Sequence, residues 1–125
     1  MKVAVGIGCR KNCPADAVEA LVRQALGQVA DAAPSALFTV ADKQGEAGLA
    51  EAARRLRLGL TYLSRDALRG READIQTHSP QAERLLGIPS VAEAAALVGA
   101  GPGSVLIVPR VAADGVTCAV ARGAP

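Results

Sequence analysis

At 125 residues the chain has the size of one domain, long enough to build a core without disulfide or metal staples. Fourteen basic against twelve acidic residues, a formal charge of +2, exclude the strongly basic balance of a general nucleic-acid binder, and no apolar run approaches the ~20 residues of a membrane span. Three cysteines without framework spacing speak against a secreted disulfide fold, and Met1-Lys2 lead directly into strand-like sequence, so the expected setting is the cytoplasm.

Val3, Val5 and Ile7 alternate with Ala4 and Gly6, the pattern of a short buried strand. From Asp16 to Ala30, Val18, Leu21, Val22, Ala25, Leu26 and Val29 recur at the spacing of one apolar helix face. Pro14 suits the first helical position, which makes Cys13 the expected N-cap. Ser35 to Val40 reads as a second strand, Glu46 to Leu58 as a second helix, and Gly59 as its left-handed cap. "LTYLS" then supplies a third strand, so strand and helix alternate through the first half, which calls for parallel pairing.

The second half changes character. "SRDALRG" is a helical turn and "READIQTHSP" an aperiodic exposed loop. Ser79 caps a short helix, Pro80 to Leu86. Ser90 caps another, Val91 to Val98, with Glu93 three residues on as the reciprocal member of a capping box. Two apolar strands, "SVLIVPRV" and "VTCAVAR", close the chain around Asp114-Gly115, a tight hairpin turn. The expected architecture is a single α/β domain over residues 1–125, a compact three-layer α/β/α arrangement with parallel strands first and a C-terminal β-hairpin joining the same sheet.

The turn after the first strand, "GIGCRKNCP", is the most informative stretch. Cys9 and Cys13 stand at C-x₃-C, but a structural zinc site needs four ligands, no second pair exists, and His78 and Cys118 are isolated, so no metal is expected. Redox chemistry calls for C-x-x-C, and the spacing is one residue too long. A dinucleotide fingerprint lacks its third glycine and a P-loop its Gly-Lys-Ser/Thr, so no nucleotide cofactor is implied. What remains is an anion-binding turn, since backbone N–H groups at a strand end and a following helix start favour negative charge, reinforced by Arg10 and Lys11. Asp42, Lys43 and Glu46 fall in a loop expected at the same sheet edge. Arg54, Arg55, Arg57, Arg65, Arg69 and Arg71 concentrate positive charge elsewhere, either as solvated helix faces or as a surface for a small polyanion.

"GIGCR" before an amphipathic helix, "FTVADKQGEAGL" after a strand, "LLGIPSVAEAAAL" and a terminal "VLIVPR…VTCAVAR" occur here in that order. In this the chain resembles the CobE family of cobalamin biosynthesis and the similar C-terminal domain of CbiG, the cobalt-precorrin-5A hydrolase. The resemblance implies a precorrin ligand, a partly apolar macrocycle with many carboxylate arms, and leaves other enzymes of the pathway as further partners. It implies Gly6, Gly8, Cys9 and Arg10 as ligand-binding residues of the first turn, with Lys43, Ser90 and Thr117 completing the set. Lys43 and Glu46, three apart at a helix start, are the candidates for acid–base work if the protein is a lactone-opening hydrolase. Donors without a recognisable nucleophile favour binding and assistance over catalysis.

Overall fold

The computed structural model describes residues 1–125. Five strands and five helices follow in the order β1 (Lys2–Cys9), α1 (Ala15–Leu26), β2 (Ala33–Val40), α2 (Ala47–Leu56), β3 (Leu60–Leu63), α3 (Arg65–Arg69), α4 (Pro80–Leu86), α5 (Val91–Ala100), β4 (Val105–Ala113) and β5 (Val116–Arg122). Single 3₁₀ turns occupy Ala41–Lys43 and Glu72–Asp74. The strands form one sheet in the order β3-β2-β1-β5-β4. β1 pairs β2 and β2 pairs β3 in parallel, whereas β5 lies antiparallel against both β1 and β4. The α/β class, the parallel first strands and the closing hairpin are therefore all present. No helix is long and apolar enough to cross a membrane.

Side chains alternate across a strand, so β1 serves two layers. Val3, Val5 and Ile7 pack with Val18, Leu21 and Val22 of α1 and Leu49 and Ala52 of α2. The opposite face takes α5, whose Ala92, Ala96 and Leu97 pack on Ala119 and Ala121 of β5. Small residues on both sides let the helix lie close. Gly6 is where the approach is tightest: a Cβ there would fall inside contact distance of the Ala92 carbonyl oxygen and 2.5 Å from the Ala96 nitrogen. Helix α5 is buried nearly all round because α3 and the segment around Ile75 and Ile88 cover its outer side.

Several local readings are corrected. Pro14, with extended backbone at ψ 143°, is itself the residue before α1, and Cys13 turns inward to the core instead of capping. The left-handed residue ending α2 is Arg57 at φ 58°, not Gly59. The N–H of Leu58 donates to the Ala53 carbonyl at 3.0 Å and closes a Schellman turn that sequence preference alone assigns to glycine. Helix α1 stops at Leu26, four residues before its apolar pattern runs out, although Val29 still packs on the core. The stretch after α3 is not wholly exposed, since Ile75 is buried. The hairpin matches expectation: Asp114 and Gly115 both have positive φ, 53° and 79°, as a two-residue turn of the primed type requires.

Most of the basic cluster is engaged in ion pairs. Arg55 meets Asp16 and Glu51, Arg54 meets Glu51, Arg65 grips Asp42 through two hydrogen bonds of 3.1 and 2.5 Å, and Arg69 meets Asp66. Arg71 donates to the Ser104 hydroxyl and carbonyl, both at 2.7 Å, and to the Leu97 and Gly101 carbonyls, closing the end of α5 with a cation. Five of the six arginines are thus engaged with carboxylates as solvated ion pairs or helix-end contacts, and Arg57 stands outside any ion pair.

Candidate functional site

Parallel strands deliver their following loops to one edge, and the antiparallel β5 begins where β1 ends. The carboxyl ends of β1 and β2, the start of β5, the hairpin and helix α4 therefore enclose a cleft of about 830 Å³. This is the range of small-molecule sites. Gly8, Cys9, Arg10, Lys43, Glu46, Ser90 and Thr117 all line it. Gly6 does not, because α5 covers it.

Three contacts build the rim. The Arg10 N–H donates to the Gly115 carbonyl at 2.9 Å, joining the first turn to the hairpin. The stem of Arg10 lies over Gly115, where a Cβ would come within 3.3 Å of its Cδ. The Thr117 hydroxyl donates to the Gly8 carbonyl at 3.3 Å. Across the turn, the Asn12 N–H donates to Glu46 Oε1 at 2.8 Å, which ties the β1–α1 loop to the start of α2. One oxygen of Glu46 is thus engaged structurally, and Lys43 and Glu46 make no ion pair with each other. The Ser90 hydroxyl is likewise occupied, accepting the Glu93 N–H at 3.3 Å.

The missing Cβ of Gly8 points toward Thr117 and α5, not into open cleft: it would stand 2.6 Å from the Thr117 hydroxyl oxygen and 3.6 Å from Val91 Cβ. Gly8→Ala should accordingly cost roughly 1 kcal/mol of stability, the worth of the displaced hydroxyl bond. A thermal melt lowered by a few degrees is the expected reading, and an unchanged melt would contradict the packing described.

Charge in the cleft leans positive. Arg10, Lys11, Lys43 and Arg110 line it outside any ion pair, against Glu46 and Asp114, which are also outside any ion pair. Asp42 is neutralised by Arg65, whose hydrogen bond and charge hold its carboxyl below the ordinary value. Facing these cations, α4 offers Ala82, Leu85 and Leu86, with Leu85 64% exposed and unsupported by any core cluster. The arrangement suits a ligand with an apolar body and several anionic arms. Arg110 and the α4 wall escaped the sequence reading, since an arginine inside an apolar strand and a leucine on a short helix both read as ordinary packing.

All three cysteines are free. Burial pushes the Cys118 thiol up to about 12, and burial together with the neighbouring Cys13 thiol pushes Cys9 up as well. Little thiolate of Cys9 or Cys118 exists at neutral pH and Cys13 is buried, so a thiol-specific reagent should modify the folded protein far more slowly than the denaturant-unfolded chain. A single fast-reacting thiol in the native state would overturn this.

Glu93 departs most from expectation. Its backbone joins the cap of α5, but its carboxylate does not reach back to the Ser90 N–H as a capping box requires. Instead the wholly buried side chain accepts the Gln76 and Thr77 N–H groups at 2.7 and 2.9 Å on Oε1, and the Thr77 hydroxyl and the Arg110 N–H, both at 2.8 Å, on Oε2. Burial alone would raise its pKa; the donated bonds from Arg110, Thr77 and Gln76 outweigh that and hold it below the ordinary value.

The fold and site together define a mixed-sheet α/β domain with a cation-lined cleft at its strand ends. Comparison with known proteins gives the particular family. The family model described as cobalamin synthesis G C-terminus matches residues 3–121. Protein CobE of Sinorhizobium sp is 32% identical over 122 residues, 95% of this chain and 79% of that protein. Among solved structures, that of CobE, a protein from the cobalamin (vitamin B12) biosynthetic pathway, superposes with TM-score 0.89 at 33% identity, covering 96% of this chain and 89% of the other. The cobalamin biosynthesis protein chiG from Agrobacterium tumefaciens str. C58 superposes with TM-score 0.78 at 40% identity, covering 98% and 99%. The chain belongs to the CobE/CbiG C-terminal family and is a protein of cobalamin biosynthesis.

Proposed function

We propose that the cleft binds a precorrin-type tetrapyrrole and that the protein assists a ring-contraction or later step of corrin synthesis by holding that intermediate. The observation that carries the reading is the meeting, in one cleft, of cations without carboxylate partners and an exposed apolar wall on α4. Arg10 and Lys43 would take carboxylate arms, while Leu85 and Leu86 would lie against the macrocycle. Burial of a carboxylate against an unpartnered cation relieves an existing electrostatic imbalance, so binding should weaken as salt rises. Binding rather than chemistry is favoured because Glu46 is already engaged with Asn12 and Lys43 has no general-acid partner.

Uroporphyrin, a stable octacarboxylate tetrapyrrole, serves as probe in a fluorescence titration. Arg10→Ala and Lys43→Ala should each weaken its binding by roughly 1.5–3 kcal/mol, the range for hydrogen bonds to charged groups, with the thermal melt unchanged. Unaltered affinity in both variants would remove the site. With a precorrin pool, absorbance should change only in proportion to the protein added. Multiple turnover would instead favour the hydrolase reading, with Lys43 and Glu46 as its reacting groups.

A further inference from the structure

The donors gathered by Glu93 come from two pieces of chain, one leading into the α4 wall of the cleft and the other, Arg110, lining it. Gln76 and Thr77 lie just before Ser79, whose hydroxyl caps α4 by accepting the Ala82 N–H at 3.3 Å. Their position therefore sets where the apolar wall begins. Arg110 lies in β4 between Val108 and Val111, where the ladder to β5 shifts register. At such an irregularity the strand pairing no longer dictates orientation. The bond from the Arg110 N–H to Glu93 Oε2 supplies the missing constraint at a residue that lines the cleft and whose guanidinium has no carboxylate partner. No cation neutralises Glu93, so backbone and hydroxyl donors alone stabilise its charge. An anion so held needs all its donors in place, which makes it a rigid junction between the segments that supply them.

We infer that Glu93 is a positioning residue that hangs both the α4 wall and the β4 irregularity from the start of α5, and thereby holds Arg110 as a further carboxylate-binding group of the cleft. Arg110's part rests on the reading of the cleft as a tetrapyrrole site; the tether itself does not. Glutamine at position 93 keeps the shape but turns one acceptor into a donor, which must face either the Gln76–Thr77 amides or Arg110. The Oε1 side takes two backbone amides and Oε2 only one, so the amide nitrogen should settle against Arg110 and release it.

Uroporphyrin titrations of the unaltered protein, Arg110→Ala, Glu93→Gln and the double variant test the coupling. Arg110→Ala should bind about ten- to a hundredfold more weakly, with little change in melting. Glu93→Gln should also weaken binding, and the double variant should bind no worse than Arg110→Ala alone, because the first residue acts through the second. Independent, multiplying losses would overturn the proposal, as would normal binding by Glu93→Gln. A readout free of both ligand and variants is amide hydrogen exchange in the unaltered protein. Gln76, Thr77 and Arg110 should share one slow rate, since a single carboxylate holds them, and fast exchange at Arg110 beside slow exchange at Thr77 overturns the tether even if Glu93→Gln does not fold. Unaltered protein that takes up no uroporphyrin overturns the cleft reading and Arg110's ligand role with it, while the exchange rates still decide the tether.

Discussion

Gly6→Ala should yield little folded protein. The added methyl would collide with main chain of α5 at Ala92 and Ala96, and main chain cannot swing aside as a flexible side chain can. The helix would have to lift off β1, uncovering the small-residue contact it shares with Ala119 and Ala121. We expect a loss of at least about 3 kcal/mol, the upper range for overpacking a dense core. Denaturant unfolding of whatever soluble material forms is the measurement. A variant with the unfolding midpoint of the parent would show that α5 does not lie where it is described. The same result separates two uses of glycine in the "GIG" turn, since Gly6 serves the packing of a helix and Gly8 the rim of a cleft.

Glu93→Ala is expected to be comparably severe. It strips the acceptor from three backbone N–H groups and a hydroxyl at once, and each donor left without a partner away from water costs about 1–3 kcal/mol. Water entering the space would soften the sum, so we expect a net loss of about 3 kcal/mol. Acid should reproduce part of the effect in the unaltered protein. The folded pKa of Glu93 is depressed below its ordinary value of 4.5. Its contribution is therefore complete above that value and is lost as the pH falls through the folded pKa. Asp42 is depressed by its pairing with Arg65 and declines in the same direction. Stability measured from neutrality downward should thus fall below about pH 4.5, and the gap between the parent and Glu93→Gln should narrow over the same interval. A gap constant to the lowest accessible pH would show that Glu93 is not ionised in the fold.

The features readable in advance were those governed by local rules. Alternation in the first strand, apolar runs in the others and period-3.6 patterns in the first two helices located these elements, Ser79 and Ser90 marked helix starts, and Asp114-Gly115 marked the hairpin. The polar loops of the cleft were also within reach, because loops after parallel strands gather at one edge whatever else the chain does. What escaped reading was decided by distant partners. Gly6 has an empty side that could face a ligand or a helix, and only the position of α5 settles which. Glu93 sits at the sequence position of a capping-box residue, yet Gln76, Thr77 and Arg110 offer more donors than the Ser90 N–H alone. Arg57 takes the left-handed conformation that Gly59 would adopt more cheaply, since the strand that follows must start at Leu60 to pair with β2. Cys13 turns into the core because Gly48 of α2 packs directly over its carbonyl.

The place of β5 between β1 and β4 has a consequence for how the protein comes into being. Thr117 meets Gly8 across 109 intervening steps of sequence, and every antiparallel bond along β1 waits for that late arrival. At roughly 5–20 residues per second, a ribosome leaves the strand with one open edge for some 5–20 s after emergence. During that interval the first turn has no Gly115 carbonyl to lean on and the hairpin side of the cleft does not yet exist. The cleft therefore cannot mature piecemeal along the nascent chain. The cleft closes in a single event, when the newest segment slides in beside the oldest, and a stalled or shortened translation product would carry the "GIGCR" stretch without the hairpin side of the cleft.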